Sequence, residues 1–297
     1  MNSRLMLGGN IFGHFTNKED TETIFSCAKN LGVFAVDTAD VYSEGRSETI
    51  IGEIVRKDRS KWFIATKIGL YTNESPVGLG RKKNIFQRVK KSLKRLQTDY
   101  IDLYQMHHFD PITPLEETIE AFSELQKQGW IRFGGISNYS TEQLKVLSQI
   151  PDNGISYHQT AFSITEPGHG KQTLKDALDS NTLLLAYSVL SRGLFSEKYL
   201  LGTIPAGSRA LTSSSIRKDL TQDFIYRLQA CNEMCKKHGY SLLETALHWV
   251  LQHNQVRWAI VGVRSPQHLE SIVKAVSKQI NSVFLAEVEK IWEKELV

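Results

Sequence analysis

Residues 101–136 read IDLYQMHHFDPITPLEETIEAFSELQKQGWIRFGGI. The stretch opens on an apolar run, Ile101–His107, passes through a helical pattern near Leu115–Gln128, and closes on a second apolar run, Ile131–Ile136. Two strands separated by a helix of this length predict a parallel pair joined by a crossover. The unit repeats in both directions. Toward the N-terminus lie Leu5–Leu7 with a helical stretch ending near Leu31, Val33–Asp37 with a helix over Ser47–Arg56, and Trp62–Lys67 with a helix around Ile85–Leu96. Toward the C-terminus, Ile131–Ile136 leads to Thr141–Gln149 and Ile155–Gln159 leads to Lys171–Asp179. Leu183–Ser188 leads to helical patterns from Asp223 to Gln252, and Trp258–Val261 leads to Pro266–Val276. Strand–helix units alternating from end to end imply parallel strands with right-handed crossovers, closed as a barrel or open as a doubly wound sheet. The strands read as apolar throughout, as expected where both faces are covered. Helix-start signals such as Ser140-Thr141 with Glu142, and Ser265-Pro266, support the boundaries.

No Gly-x-Gly-x-x-Gly follows the first strand, and Gly8-Gly9 reads only as a turn signal, which disfavours the open dinucleotide-binding sheet. The expectation is one (β/α)₈ TIM barrel, a single α/β domain over residues 1–297 with 41% apolar residues to fill its core. No linker or low-complexity segment divides the chain. Its least regular part, Ser191 to Ser215, follows the seventh strand, where a barrel places an active-face loop.

A formal charge of +4 spread over 297 residues argues for neither nucleic acid nor a membrane surface as partner. The one basic run, Lys90, Lys91, Lys94 and Arg95, lies on a helix whose apolar stripe is Ile85, Val89, Leu93 and Leu96, and is read as a solvated face. Cys27, Cys231 and Cys235 form no paired framework and no ligand set for zinc. No apolar stretch of about 18 residues and no signal-type start is present, so a cytoplasmic, reducing setting is expected.

The C-terminal ends of the strands carry the active site in such barrels. The second strand ends at Asp37 and runs on to Tyr42, the third ends at Lys67, and the fourth at His107-His108. The fifth ends at Ser137-Asn138, the sixth at His158-Gln159, and the seventh at Tyr187-Ser188. Each residue taken alone has an ordinary reading: Asp37 as a helix cap, Tyr42 as a half-buried aromatic, Lys67 as a snorkelling side chain, His107 as a structural histidine. Together they make chemical sense. Tyrosine, with a pKa near 10, is a sluggish acid at neutral pH. A neighbouring ammonium favours tyrosinate and lowers that pKa, and a carboxylate offsets the burial of the lysine. Tyr42 is thus expected to be a proton donor supported by Lys67 and Asp37, with His107 orienting a carbonyl oxygen.

The residues also carry a family pattern. Asp37-Thr38-Ala39-Asp40-Val41-Tyr42, followed by Gly45 and Ser47-Glu48, resembles the Asp-Thr-Ala-x-x-Tyr signature of the aldo-keto reductases. Ile64-Ala65-Thr66-Lys67 is similar to the family's lysine segment, and the run from Asp99 to His107 to its histidine segment. Gly135-Ile136-Ser137-Asn138, Leu185-Ala186-Tyr187-Ser188 with Arg192-Gly193-Leu194, and the run from Ile260 to Arg264 are similar to its cofactor segments, in order along nearly the whole chain. The resemblance implies hydride transfer between NADPH and a small-molecule carbonyl. It makes Tyr42 the general acid, Asp37 and Lys67 its tuning pair, and His107, rather than His108, the carbonyl-binding histidine. Ser137, Asn138 and Gln159 would hold the nicotinamide carboxamide and Tyr187 would stack on the ring. Ser188, Leu190, Arg192 and Gly193 would line the pyrophosphate. Arg264 and Ser265 would meet a 2′-phosphate, favouring NADP over NAD, and His268 would lie toward the adenine.

Two departures from the family's pattern stand out. Only Met1–Arg4 precede Leu5, where relatives carry a hairpin closing the barrel bottom, so a more exposed bottom is expected. His268 stands where relatives often have Gln or Arg, and Ser271-Ile272 where they have Glu-Asn. Two competing readings are a cofactor-bound partner protein of the same fold, like potassium-channel β subunits, and a metal-dependent barrel hydrolase. The complete Asp37, Tyr42, Lys67, His107 set argues against the first. The lack of ligands on the first strand argues against the second. Loops near Ile11-Phe12, Tyr71–Arg81, Phe109 and Ile164–Gly170 are expected to shape the substrate pocket, suiting a keto-sugar and a small aliphatic carbonyl equally. Nothing in the sequence sets the oligomeric state.

Overall fold

Each strand pairs in parallel with the strand that follows it in sequence, and the eighth pairs back onto the first, so the sheet closes as a barrel in the order β1 to β8. The structure is a computed structural model that describes residues 3–69 and 78–293. Its elements are β1 (Leu5–Gly8), α1 (Lys18–Asn30), β2 (Ala35–Asp37), α2 (Arg46–Val55), β3 (Phe63–Ile68), α3 (Lys82–Leu96), β4 (Ile101–Met106), α4 (Leu115–Lys127), β5 (Ile131–Ser137), α5 (Thr141–Ser148), β6 (Ile155–Ala161), α6 (Pro167–Asp179) and β7 (Leu183–Tyr187). After β7 come the short α7 (Arg209–Thr212) and α8 (Ser214–Asp219), then α9 (Gln222–Lys237), α10 (Leu242–Leu251), β8 (Val256–Val261), α11 (Pro266–Ser277) and α12 (Ser282–Glu293).

The barrel separates two cores. Outward residues of the strands, among them Val36, Ile64, Tyr104, Ile136 and Leu184, pack against the helices in one large apolar cluster. Inward residues, Met6, Ala35, Ala65, Leu103, Tyr157, Leu185, Trp258 and Ile260, fill the barrel itself. Because strand side chains alternate, residues two apart face the same side, and the register Ala65–Leu103 and Lys67–Gln105 layers the interior across strands. Helix entries are fixed by side chains that satisfy free N–H groups: Asn17 at α1, Ser140 at α5 and Ser241 at α10. The last two form reciprocal boxes, Ser140 with Gln143 and Ser241 with Glu244.

The expected eight units are present, with bounds shifted by a few residues at most strand and helix ends. Four expectations need correction. The strands are not uniformly apolar: Lys67, Asp102, Gln105 and His158 are buried, and Arg132 and Phe133 on β5 are exposed. Asp102 is held by Arg59 and Arg132 and accepts from the Ile64 N–H. Secondly, α12 has no counterpart in the sequence reading, although Asn281 caps its start and Phe284, Leu285 and Val288 form a buried face. Thirdly, Gly9 is more than a turn signal: a Cβ there would lie 2.7 Å from the Asp37 carbonyl oxygen, so the backbones after β1 and β2 approach too closely for any other residue. Finally, of the basic run on α3, Lys90, Lys91 and Lys94 are not engaged by any carboxylate among the described residues, whereas Arg95 is drawn inward to the buried Glu48.

Candidate active site

Asp37 is the last residue of β2 and Lys67 the fifth of β3, and the parallel register sets their side chains together inside the barrel mouth. Lys67 is fully buried and donates to Asp37 Oδ1 at 2.8 Å, Oδ2 at 2.7 Å and the Thr38 carbonyl at 2.9 Å. Three acceptors match the three hydrogens of an ammonium, which is what a charge removed from water requires. Burial alone pulls the Lys67 pKa down, but Asp37 and Tyr42 outweigh it and leave the value raised, so the lysine is charged. Gln159 on β6 donates to Asp37 Oδ1 at 2.8 Å, completing the carboxylate's cage.

Tyr42 follows β2 by five residues and is presented by a tight turn. Ser43, Glu44 and Gly45 adopt φ of 51°, 58° and 85°, and Ser43 Oγ donates to the Phe12 carbonyl. Asp40 anchors the same turn from behind. Its N–H donates to the Lys67 carbonyl, Oδ1 accepts from the Gly69 N–H at 2.8 Å, and Oδ2 accepts from Arg88 Nε at 2.7 Å. The Lys67 ammonium stands 5.2 Å from the centroid of the Tyr42 ring. The expected lowering of the Tyr42 pKa is corrected here. Burial pushes it up and Asp37 adds to that, while Lys67 pulls it down only in part, so the phenol is held protonated.

His107, just past β4, is 7% exposed and packs edge-on against Tyr42 with centroids 5.7 Å apart. Its ring also stacks on His108 at 5.4 Å and 10°. Burial, then the nearby Lys67, pushes the His107 pKa down to about 2, so the imidazole is neutral. Asn138 lies in the left-handed region at φ 60°, a conformation held by its own side chain. Its Nδ2 donates to the His107 carbonyl and Ser137 Oγ, and its Oδ1 accepts from the Tyr187 hydroxyl at 2.7 Å.

These groups open onto one cavity of about 570 Å³. Asp37, Tyr42, His107, Ser137, Asn138, Gln159, Tyr187, Ser188, Leu190, Arg192, Gly193, Arg264 and His268 all line it. Lys67 stands behind Asp37 rather than on the wall. Ser265 is not among the cavity-lining residues; its Oγ caps α11 by accepting from the His268 N–H, which leaves its O–H as a donor. Of the expected pocket-shaping residues, Ile11 lines the cavity, Phe12 and Ile164 belong to the core, and Phe109 packs on Tyr139. Residues 71–77 of the loop expected at Tyr71–Arg81 lie outside the described residues.

The sequence reading missed several cavity residues, above all Asn10, Lys198 and Arg209, and His108, set aside in favour of His107, also lines the cavity. Arg209 sits at the start of the short α7, and its pKa is lowered by burial and then by the neighbouring charges of Arg264 and Arg192. His268 is likewise pushed down by burial, Arg264 and Lys198. The outer wall is therefore a crowd of cations. Among the described residues no carboxylate pairs with Lys198, Arg209 or Arg264, whereas Arg192 pairs with Asp219. No three His, Cys, Asp or Glu side chains among the described residues converge as a metal site would require, and no helix among them is long and apolar enough to cross a membrane.

The solved aldo-keto reductase AKR11C1 from Bacillus halodurans, a holo form, superposes with a TM-score of 0.80 at 27% identity, covering 97% of this chain and 92% of that one. Aldo-keto reductase YhdN of Bacillus subtilis is 30% identical over 97% of this chain and 87% of its own length. L-glyceraldehyde 3-phosphate reductase of Escherichia coli K12 is 30% identical over 90% of this chain and 81% of its own. The family model for the Aldo/keto reductase family matches residues 4–293, and the chain belongs to that family of oxidoreductases.

Proposed function

We propose that the protein reduces a small aldehyde or ketone, a keto-sugar or short aliphatic carbonyl, to the alcohol with NADPH, using Tyr42 as the proton donor. The observation that carries this reading is the Asp37–Lys67 pair beneath a protonated Tyr42 and a neutral His107, all at one cavity. The residues present fit a phosphorylated dinucleotide. Asn138, Ser137 and Gln159 offer amide and hydroxyl groups for a carboxamide, and Tyr187 offers a ring face. Ser188, Leu190, Arg192 and Gly193 would line the pyrophosphate. Arg264 and Arg209, which no carboxylate engages among the described residues, suit an additional phosphate with Lys198 and so favour NADPH over NADH. When bound, the nicotinamide supplies a hydride.

The chain supplies placement and the proton. His107, neutral at physiological pH, donates a hydrogen bond to the carbonyl oxygen without competing as an acid. Tyr42 keeps its proton until negative charge develops on that oxygen, then gives it up. The Lys67 charge beside the ring stabilises the tyrosinate left behind, and Asp37 keeps Lys67 charged and fixed. A different role is favoured by one observation. Probable voltage-gated potassium channel subunit beta of Arabidopsis thaliana is 28% identical over 94% of this chain, and a binding protein of that kind would hold cofactor with little turnover.

NADPH oxidation against a panel of aldehydes, keto-sugars and glyceraldehyde 3-phosphate separates the two. Turnover of at least one member, with Tyr42→Phe retaining NADPH binding but losing about 10²–10⁴ in kcat/KM, is expected. Tight NADPH binding with no oxidation of any carbonyl would favour the binding role, and unchanged turnover in Tyr42→Phe would remove the proton donor.

A further inference from the structure

Inside the barrel mouth, the side-chain amide of Gln105 has no hydrogen-bond partner for either its nitrogen or its oxygen among the described residues, although Gln105 is fully buried. A buried amide left unmatched is rare and unfavourable, and it calls for a partner. The fold makes room for it deliberately. A Cβ at Gly135, the register partner on β5, would lie 2.9 Å from Gln105 Cγ, so only glycine leaves space for this side chain. A second unmatched buried atom lies close by. His107 Nδ1 has no partner either, while the ring itself lines the cavity, so the cavity is met by its Nε2 edge.

The two groups stand two residues apart on one strand run. Leu103, Gln105 and His107 therefore point to the same face, and that face is the interior, since Leu103 belongs to the barrel-filling cluster. Their Cα atoms are separated by about 7 Å, a span that one water bridges from an amide end to an imidazole nitrogen. The other polar groups of this layer are already engaged: Lys67 by Asp37 and Thr38, Gln159 by Asp37, and Ser137 by the Gln159 carbonyl.

We propose that Gln105 is a positioning residue that, through one buried water, fixes the tautomer of His107. Gln105 Nε2–H donates to the water oxygen, and the water donates to His107 Nδ1. The amide nitrogen has the stronger claim on the water, because in the backbone an orphaned buried N–H is rarer than an under-satisfied C=O, and a side-chain amide presents the same two kinds of group, with two N–H donors. Nδ1 then carries a lone pair, and the single proton of the neutral ring is forced onto Nε2, the edge that meets the cavity. The low His107 pKa agrees with a neutral ring. The inference deepens the proposed carbonyl reduction and rests on it for its consequence, since Nε2–H is the form that donates to a carbonyl oxygen.

The test reads the tautomer itself. Nitrogen-15 chemical shifts of ring-labelled histidines in the full chain, with His107 assigned by its loss in His107→Asn, should show a pyridine-type Nδ1 and a pyrrole-type Nε2 at neutral pH. The near-isosteric Gln105→Met should mix the two tautomers and lower kcat/KM about tenfold while NADPH binding stays within twofold. A pyrrole-type Nδ1 in the native protein, or an unchanged tautomer in Gln105→Met, overturns the proposal. The native spectrum needs no substitution, so it decides even where Gln105→Met does not fold. If the tautomer shifts as expected but no carbonyl is reduced, the reading of the reaction fails and the role of Gln105 stands.

Discussion

The two ends of the barrel interior are built from the same strands by opposite chemistry. Phe63 and Lys67 lie on β3 four residues apart and face the same way, yet one belongs to a nest of rings and the other to a charged pair. At the N-terminal end, Phe63, Phe133, Tyr157 and Trp258 pack ring against ring, with Phe63 and Trp258 4.5 Å apart and Arg257 lying 3.9 Å over Trp258. At the other end, Asp37, Lys67, Gln105 and Gln159 replace them. A barrel must be filled to stand, and apolar rings fill it with no unmatched polar atoms. The polar layer brings desolvation and orphaned amide groups, which a merely structural interior would avoid. The difference separates a layer built for stability from the layer to which the proposed chemistry is assigned.

The sharpest way to break that division is to make one end resemble the other. Lys67→Met places an apolar chain of similar length in the mouth and leaves Asp37 buried with Gln159 as its one remaining side-chain partner among the described residues. Removing one member of a buried ion pair costs about 3–5 kcal/mol. Chemical denaturation should show this loss, and NADPH-dependent turnover should vanish with it. Wild-type stability in Lys67→Met would mean that the pair is dispensable to the fold. At the opposite end, Trp258→Ala should cost about 3–5 kcal/mol through the cavity it leaves. Its kcat/KM per folded molecule should stay within twofold at low temperature. A large fall in kcat/KM with intact folding would show that the two ends are not separable.

The outer cations sharpen the comparison at the cavity rim. If Arg209 meets an additional phosphate, Arg209→Ala removes a charge-assisted hydrogen bond worth about 1.5–3 kcal/mol. The NADPH Kd should then rise about 10–100-fold while the NADH Kd hardly moves. Equal weakening of both would assign Arg209 to the shared part of the dinucleotide instead.

What is legible in the sequence follows the same division. The eight units can be read because most strand residues are buried on either face and each helix buries one face, so period and composition report them directly. The mouth residues can be read because they sit at fixed positions after strands. Arg209 and Lys198 cannot: the segment from Ser191 to Ser215 is expected at the active face, but which of its side chains turn inward depends on short helical turns that leave no periodic trace. Ser265, ahead of Pro266, is legible as a helix start and does cap α11, but nothing in the sequence shows that it stands off the cavity wall. The direction of the Tyr42 pKa is out of reach because it depends on a contest between Lys67 and burial, and burial is a property of the folded chain alone.

Acid should expose a smaller difference between the inside and the outside of the sheet. His107 faces the mouth and is pushed from 6.5 down to about 2 by burial, Lys67 and His108, and His158, buried on the outer face of β6, is pushed to about 4 chiefly by burial. Both values are lower in the folded chain than in the unfolded one. Well above pH 6.5 neither state binds the proton and stability is unaffected. As pH falls below 6.5 the unfolded chain takes up protons that the folded chain refuses, so stability declines by up to about 1.4 kcal/mol per pH unit for each histidine. For His158 the decline levels off near pH 4, where the folded chain also titrates, whereas for His107 it continues toward pH 2. Urea denaturation between about pH 7 and pH 4 should therefore show a falling stability, and His158→Leu should flatten that slope by about one proton while leaving kcat/KM intact. His107→Asn should flatten it by a similar amount and abolish turnover as well. A slope unchanged in His158→Leu would mean that the outer histidine takes up its proton in the fold as readily as in the unfolded chain, with the Asp176 charge offsetting burial, and that the mouth histidine carries the acid sensitivity.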